Sequence, residues 1–216
     1  MTGIFGTSQE DKYMERIMKI QLKISTLKAA AICAAKKDIR YCLNGVCVDV
    51  KNESQVVIVG TDGHCMFIGV ESYIGEWDSK AEQVIIPLET IVAALKGWHK
   101  TLSYIMLERL SAEKMSLGDV MFTPICGQYP DYARTIPKVE TVQAGIGYYN
   151  HDYLAKGSKA MKEASGCGYP TLNQHGETDA AVMTCALPNY VCLIMPMSMR
   201  NNDKSLDAYK GIEIPQ

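Results

Sequence analysis

The chain has 216 residues, of which 47% are hydrophobic and 21% are charged, and its formal net charge is −2. This composition is ordinary for a globular protein and argues against a surface that attracts polyanions over its whole extent. No apolar run approaches the roughly 18 residues of a membrane helix, and the first 16 residues lack the apolar core of an export signal, so we expect a cytoplasmic protein.

Residues 1–16 are predicted to be a polar extension, and the first structural unit follows them. IQLKI (20–24) alternates apolar and polar residues as a half-buried strand does. Ser25 or Thr26 is predicted to cap a helix, TLKAAAICAAKK, that is rich in alanine. Strands are then predicted in RYCLNGVCVDV, QVVIVGTD and CMFIGVES, with a turn at 52–53 between the first two.

A second unit repeats this order of elements. VIIP (84–87) is a predicted strand that leads into the helix LETIVAALKGW, where Pro87 near the first turn loses no needed hydrogen bond. The strands LSYIMLE, KMSLG and DVMFTPI follow, with a turn at 118–119.

A third unit starts at QAGIGYY and continues with a helix around HDYLAKGSKAMKEA, which Gly166 and Gly168 are predicted to end. It finishes with the predicted strands AAVMTCAL and NYVCLIMPM. Each unit is one β-α-β-β element, and sheets with helices on one face only need antiparallel strands in an α+β layer. Because such units cannot bury their sheet faces alone, we expect them to pack side by side.

The eight cysteines form no CxxC pair and stand near no paired histidines at zinc spacing. Most of them lie in apolar stretches such as AAICAA and YVCLIM, where cysteine behaves as a small buried hydrophobe. We interpret them as reduced core thiols and predict no disulfide, no metal site and no cofactor.

Four phrases together resemble one protein family. KDIRYCLNGV (37–46), TDGHCM (61–66) and YPDYARTIPK (129–138) are similar to the middle domain of the bacterial DNA polymerase III β subunit, the β sliding clamp. LIMPMSM (193–199) resembles the motif that closes the last domain of that family. The resemblance implies a shortened member, of phage or bacterial type, that lacks the amino-terminal domain and half of the last domain.

The resemblance divides the chain into an N-terminal extension (1–16), a middle clamp domain of two units (17–138), half of a last clamp domain (139–200) and a C-terminal tail (201–216). It implies the α+β DNA-clamp fold, in which antiparallel sheets lie outside and helices line one concave face. It also implies a DNA replication processivity factor that encircles duplex DNA and tethers other proteins to it, rather than an enzyme.

Positive charge is concentrated where the resemblance places DNA. The three predicted helices sum to +5 although the whole chain is −2. Sliding along DNA requires weak contacts to phosphates and no tight contacts to bases, because tight base readout would arrest the ring. The residues predicted to contact DNA are Lys28, Lys36, Lys37, Arg40, Tyr41, Lys96, Lys100, Lys156, Lys159 and Lys162.

The resemblance also implies a groove that binds short, extended peptides through apolar anchors, and flexible methionines suit such a groove. The predicted peptide-binding residues are Leu43, Thr61, Gly63, His64, Met66, Pro130, Arg134, Thr135, Leu193, Ile194, Met195, Pro196 and Met197. The family usually has arginine at the positions of Cys65, Ala133 and Ser198, so the set of partners is expected to be altered.

An enzyme is not predicted. Asp62 and His64 could suggest an acid–base pair, but no nucleophile or third partner has a motif around it, and there is no phosphate-binding loop. The implied partners are double-stranded DNA, a DNA polymerase and other proteins with clamp-binding motifs, and a clamp loader.

If a complete ring contains about twelve units, chains of three units close it as a homo-oligomer of four subunits. The alternative is a non-encircling phage protein that captures the clamp-binding peptides of host replication proteins.

Overall fold

The computed structural model describes residues 18–77, 82–96, 102–138, 147–176 and 178–198. The predicted N-terminal extension, the C-terminal tail, Lys100 and most of the QAGIGYY strand lie outside these residues. The elements are β1 (Lys19–Lys23), α1 (Ile24–Cys33), β2 (Gly45–Val50), β3 (Gln55–Thr61), β4 (Cys65–Ser72), β5 (Gly75–Glu76), β6 (Glu82–Pro87), α2 (Leu88–Leu95), β7 (Tyr104–Arg109), β8 (Met115–Leu117), β9 (Val120–Phe122), α3 (His151–Ser165), β10 (Thr171–Asn173), β11 (Ala181–Thr184) and β12 (Tyr190–Ile194).

The strands form two antiparallel sheets, so the predicted α+β class is confirmed. One sheet has the order β5-β1-β7-β8-β9 and the other has the order β10-β11-β12-β4-β3-β2-β6. The first two units exchange their opening strands: β1 pairs with β7, with Leu22 opposite Ile105, and β6 pairs with β2, with Val84 opposite Val48. The two units are therefore interlocked as well as side by side.

The third unit continues the seven-stranded sheet of the first unit. β12 pairs antiparallel with β4, with Leu193 opposite Met66, and α3 packs against α1. A partly buried polar cluster strengthens this junction, because the hydroxyls of Tyr190 and Thr26 both donate to the carboxylate of Glu71, each at 2.5 Å.

Two hydrophobic clusters cover the two faces of the seven-stranded sheet. On the helix side, residues such as Leu27, Phe67 and Met161 are fully buried between the helices and the sheets. On the opposite side, Leu43 and Leu193 pack with further apolar residues of the sheet. Burial on both faces explains why β2 and β3 read as nearly continuous apolar runs rather than alternating patterns.

The observed ends of the helices differ from several predicted ends. α1 begins at Ile24 with Lys23 as its N-cap and no capping side chain, so neither Ser25 nor Thr26 is a cap. α1 also ends at Cys33, because the chain turns to an extended conformation at Ala34. Lys36 and Lys37 therefore follow the helix rather than lie on it. α2 ends at Leu95, and none of the described helices could cross a membrane.

The predicted end of α3 is confirmed. Gly166 has φ +72° and its N–H donates to the carbonyl of Lys162, which is a left-handed cap that glycine adopts without strain. At the other end, the Asn150 side chain accepts a hydrogen bond from the N–H of Asp152.

α1 lies directly on the backbone of β3. At Gly60 a Cβ atom would overlap the carbonyl oxygen of Ala30, which belongs to the helix backbone and cannot rotate away. Glycine is therefore required at this crossing so that the helix and the sheet can approach each other.

We expect Gly60→Ala to lower the free energy of unfolding by about 3 kcal/mol, at the upper end of overpacking costs, because backbone atoms must move apart. Gly168→Ala is the matched control, since a Cβ there meets nothing within 4 Å. Urea denaturation of both variants measures the difference. Equal stability of the two variants would contradict the close approach of α1 to β3.

Candidate functional site

The TDGH turn between β3 and β4 is held by its own side chains. Asp62 Oδ1 accepts hydrogen bonds from the N–H groups of His64 and Cys65, both at 2.9 Å. The Thr61 hydroxyl donates to the carbonyl of Cys65 and accepts from the N–H of Gly63. Gly63 has φ +92°, which favours glycine. Both hydrogen-bonding functions of the buried Thr61 hydroxyl are thus used inside the turn.

The third unit holds the same turn from outside. Lys156 Nζ of α3 lies 2.5 Å from Asp62 Oδ2 and donates to the carbonyl oxygen of Cys33 at 3.2 Å. The imidazole of His64 stacks on Tyr153, with ring centroids 4.9 Å apart. The N–H of Met195 donates to the carbonyl oxygen of His64 at 2.8 Å. The turn is therefore fixed relative to α3 and to the end of β12.

We call the surface beside this turn the peptide groove; it consists of Leu43, His64, Met66, Thr135, Leu193, Met195 and Met197. Leu43, Met66 and Leu193 belong to one apolar cluster, and the Thr135 hydroxyl lies 3.6 Å from Met66 Sδ. Met195 is 38% exposed and Met197 is 46% exposed. This surface thus combines buried apolar side chains with the exposed side chains of Met195 and Met197.

Other predicted peptide-binding residues have different surroundings. Ile194 is fully buried on the helix side of the sheet, so this assignment is wrong: neighbouring strand residues point to opposite faces. Pro130 and Gly63 are exposed and Pro196 is half-buried. Arg134 is exposed and its Nε forms an ion pair with Asp131 at 3.0 Å.

Two buried tyrosines that were not among the predicted peptide-binding residues pack beneath this surface. Tyr129 and Tyr132 are buried in the same cluster as Leu43 and Leu193. The Tyr132 hydroxyl donates to the buried carboxylate of Asp49 at 2.8 Å. Their signal was two aromatic residues three positions apart in YPDYARTIPK, beside residues that had been assigned to the groove.

The three helices line a common cleft of about 970 Å³, which we call the helix cleft. Apolar residues of α2 line it together with lysines of α1, α3 and the segment after α1; these lysines are Lys28, Lys36, Lys37, Lys156 and Lys159. Lys36 and Lys37 also line an adjoining pocket with Tyr41 and Lys96, and Tyr41 is 76% exposed. Lys162 is exposed on α3.

Several predicted DNA-binding cations are paired with acids. Lys156 is paired with Asp62, and Lys28 lies 3.8 Å from Glu163. Arg40 donates from Nε and Nη2 to both oxygens of Asp38, and these hydrogen bonds lower the pKa of Asp38 to about 2.

The acids reduce the positive charge of the helix cleft. Five lysines and four acids line it, the acids being Asp38, Asp62, Asp152 and Glu163. The surplus of the lining residues is therefore one positive charge. It is lower than the +5 counted along the sequence because Asp38 and Asp62 are added from segments outside the helices, and because that count also included Lys96, Lys100, Lys162 and Glu89.

Comparisons with known proteins agree on one family. The model of the DNA polymerase III beta subunit, central domain, matches residues 18–131. The chain is 26% identical over 125 residues to the beta sliding clamp of Proteus mirabilis, in an alignment that covers 55% of this chain and 33% of that protein. The chain thus spans about a third of the curated relative that it matches.

Solved clamp structures share the fold. The beta subunit from DNA polymerase of Streptococcus pyogenes matches with a TM-score of 0.68 and 13% identity, over 92% of this chain and 68% of that chain. The DNA polymerase sliding clamp from Pseudomonas aeruginosa matches with a TM-score of 0.66 and 15% identity, over 84% of this chain and 67% of that chain.

The ion pair at the turn predicts a pH-dependent stability. Burial raises the pKa of Asp62, but hydrogen bonds from Lys156 and from the N–H groups of Cys65 and His64 outweigh it and hold the pKa below its usual value. A depressed pKa in the folded state stabilises the fold above the unfolded pKa of about 4, and this stabilisation is lost as the pH falls through the folded pKa.

We expect Asp62→Asn to lower the free energy of unfolding by about 1–2 kcal/mol near neutral pH, because the amide keeps the turn but loses the ion pair. The loss should shrink well below a pH of about 4. Urea denaturation at both pH values measures it, with Asp119→Asn, on the exposed β8–β9 turn, as the control. An equal loss at both pH values would exclude the ion pair as the cause.

Proposed function

The chain belongs to the DNA polymerase III β subunit family, and from this premise we propose that it is a sliding clamp. The clamp encircles duplex DNA and tethers a DNA polymerase or other proteins through the peptide groove. The observation that carries the proposal is the placement of all three helices around one cleft, with exposed lysines on its rim. Sheets lie behind the helices, so one side of the protein is available to DNA and the other to proteins.

The charge on the helix side suits sliding. Lys36, Lys37 and Lys159 are exposed, and flexible ammonium groups attract phosphates without reading bases. The ion pairs of Lys28 and Lys156 reduce the net attraction. A small positive surplus favours many weak, exchangeable contacts over tight binding, which is what movement along DNA requires.

The peptide groove supports the tethering part of the proposal. Its rim offers the two exposed thioethers of Met195 and Met197, which adapt to different apolar side chains. The backbone hydrogen bond from Met195 to His64 fixes the rim relative to the turn. We propose that the partners are proteins with clamp-binding motifs, including a DNA polymerase and a clamp loader.

Ring closure would use the free sheet edges. Among the described residues, β9 and β10 each end a sheet with one side unpaired, and an unpaired edge presents N–H and C=O groups to another chain. We propose a homo-oligomer closed by such edges, with four subunits as the symmetric solution for three units per chain. In this assembly residues 17–138 act as a complete clamp domain and residues 139–200 as half of one.

We expect Met195→Ala to weaken binding of a synthetic peptide with a bacterial clamp-binding motif five- to tenfold, about 1 kcal/mol, because an exposed apolar contact is lost. Calorimetric titration of the full chain measures this. The control is Leu110→Ala, which removes an apolar side chain that is 46% exposed in the β7–β8 turn. Unchanged affinity after replacing both Met195 and Met197 would rule out this groove.

We expect Lys36→Glu and Lys37→Glu each to reduce retention on nicked circular plasmid at least about threefold at moderate salt, because phosphate contacts are lost. The protein is loaded with a bacterial clamp loader and ATP, and the retained fraction is measured by gel filtration. Lys114→Glu makes the same charge change on the exposed β7–β8 turn and should have no effect.

The topology of the DNA separates encircling from surface binding. If the protein encircles DNA, cutting the plasmid once should release the wild-type protein. Equal retention on circular and linear DNA would contradict a ring, and unchanged retention of both lysine variants would contradict the assignment of the helix side to DNA.

A further inference from the structure

Three cysteine thiols meet in the core below the TDGH turn. Cys33 is the last residue of α1, Cys65 is the first residue of β4 and Cys192 lies in the middle of β12. Cys65 Sγ lies 3.4 Å from Cys33 Sγ and 3.7 Å from Cys192 Sγ, and the three sulfur atoms lie within 4.8 Å of one another. All three side chains are fully buried.

We propose that Cys33, Cys65 and Cys192 form a binding site for one thiophilic d10 metal ion, Zn²⁺ or Cu⁺. Thiolates that coordinate one zinc ion at about 2.3 Å in tetrahedral directions lie about 3.8 Å from each other. The two shorter sulfur separations of the cluster are close to this value, so one ion reaches all three sulfurs with small side-chain adjustments. A disulfide would need a sulfur separation of about 2.05 Å and would use only two of the three thiols.

The donor set selects soft ions. The three candidate ligand atoms are sulfurs, and thiolates favour Zn²⁺ and Cu⁺ over Mg²⁺ or Ca²⁺, which need oxygen ligands. α3 packs closely over the cluster at Gly157, where a Cβ atom would lie 3.0 Å from Cys192 Sγ and 2.8 Å from Ile194 Cδ1. A glycine at this position keeps α3 from pressing on the sulfurs.

The Lys156–Asp62 ion pair lies beside the cluster, and its carboxylate opposes the effect of its ammonium group on the thiols. Lys156 Nζ donates to the carbonyl oxygen of Cys33, which places an ammonium group beside the site. A metal ion that binds the three sulfurs would displace the protons of the thiols.

The site would connect the first and third units. Cys33 and Cys65 come from the first unit, and Cys192 comes from the third. Cys65 directly follows the TDGH turn, and Cys192 precedes Met195 of the groove rim by three residues. A bound ion would thus fix the TDGH turn relative to β12, and the site does not depend on the clamp function.

The test uses the full chain, stripped of metal by a chelator and kept reduced. Titration with Zn²⁺, and anaerobically with Cu⁺, against a chromophoric chelator should give one ion per chain. Cys33→Ser, Cys65→Ser and Cys192→Ser should each weaken binding at least about tenfold. The affinity should rise with pH, because binding releases thiol protons. Cys47→Ser is the matched control, since Cys47 is buried but lies in the other cluster.

Thermal unfolding at different ion concentrations is a second test, which still applies if a variant folds poorly. The melting temperature of the wild-type chain and of Cys47→Ser should rise with the concentration of the bound ion, and that of the three site variants should not. Less than a tenth of an ion per chain for both metals would overturn the site, and so would equal weakening by Cys47→Ser. A chain that binds neither ion but forms, on mild oxidation, a disulfide that peptide mapping locates between two of these three cysteines would assign the cluster to a disulfide instead.

Discussion

The antiparallel pairing of β12 with β4 is the contact on which the rest of the structure depends. Without it, β4 would end the first unit's sheet with unpaired N–H and C=O groups, which are costly to leave unsatisfied in a buried region. The pairing brings a segment near residue 193 beside one near residue 66. Strand register fixes the position of each side chain along the strand and the face of the sheet to which it points. The pairing of β12 with β4 therefore also decides which side chains become neighbours on each face of the sheet.

The alternation along β12 separates two kinds of site. Leu193 points to the face that carries the peptide groove, and Cys192 and Ile194 point to the helix side. The same strand therefore supplies the floor of a binding surface and one corner of a thiol cluster. A slip of one residue in register would exchange the two faces and abolish both arrangements.

α3 completes the junction with polar contacts. Lys156 and Tyr153 lie three positions apart on one face of the helix and contact Asp62 and His64 of the same turn. Lys156 thus holds the tertiary structure together in addition to carrying positive charge. Its partner Asp62 is one of the acids that reduce the positive surplus of the helix cleft.

The sequence by itself determined the α+β class, the order of the helices and of the longer strands, and the end of α3 at Gly166, because these follow from local periodicity and from the backbone freedom of glycine. The short strands β5 and β10 were not predicted. The four phrases also identified the family correctly. Local patterns left the early end of α1 and the exchange of β1 and β6 between units undetermined, since both depend on contacts between distant segments.

The candidate functional site was also predicted only in part from the sequence. The groove residues Met66 and Leu193 were predicted together, but only the tertiary structure decided that Ile194 belongs to the core and that Lys156 is paired with Asp62. Cys33, Cys65 and Cys192 are far apart in the sequence and share no ligand spacing, so only the packing of α1, β4 and β12 could bring their sulfurs together. The reason is physical: side chains on different elements become neighbours through strand pairing and helix packing, and a one-dimensional pattern does not contain these contacts.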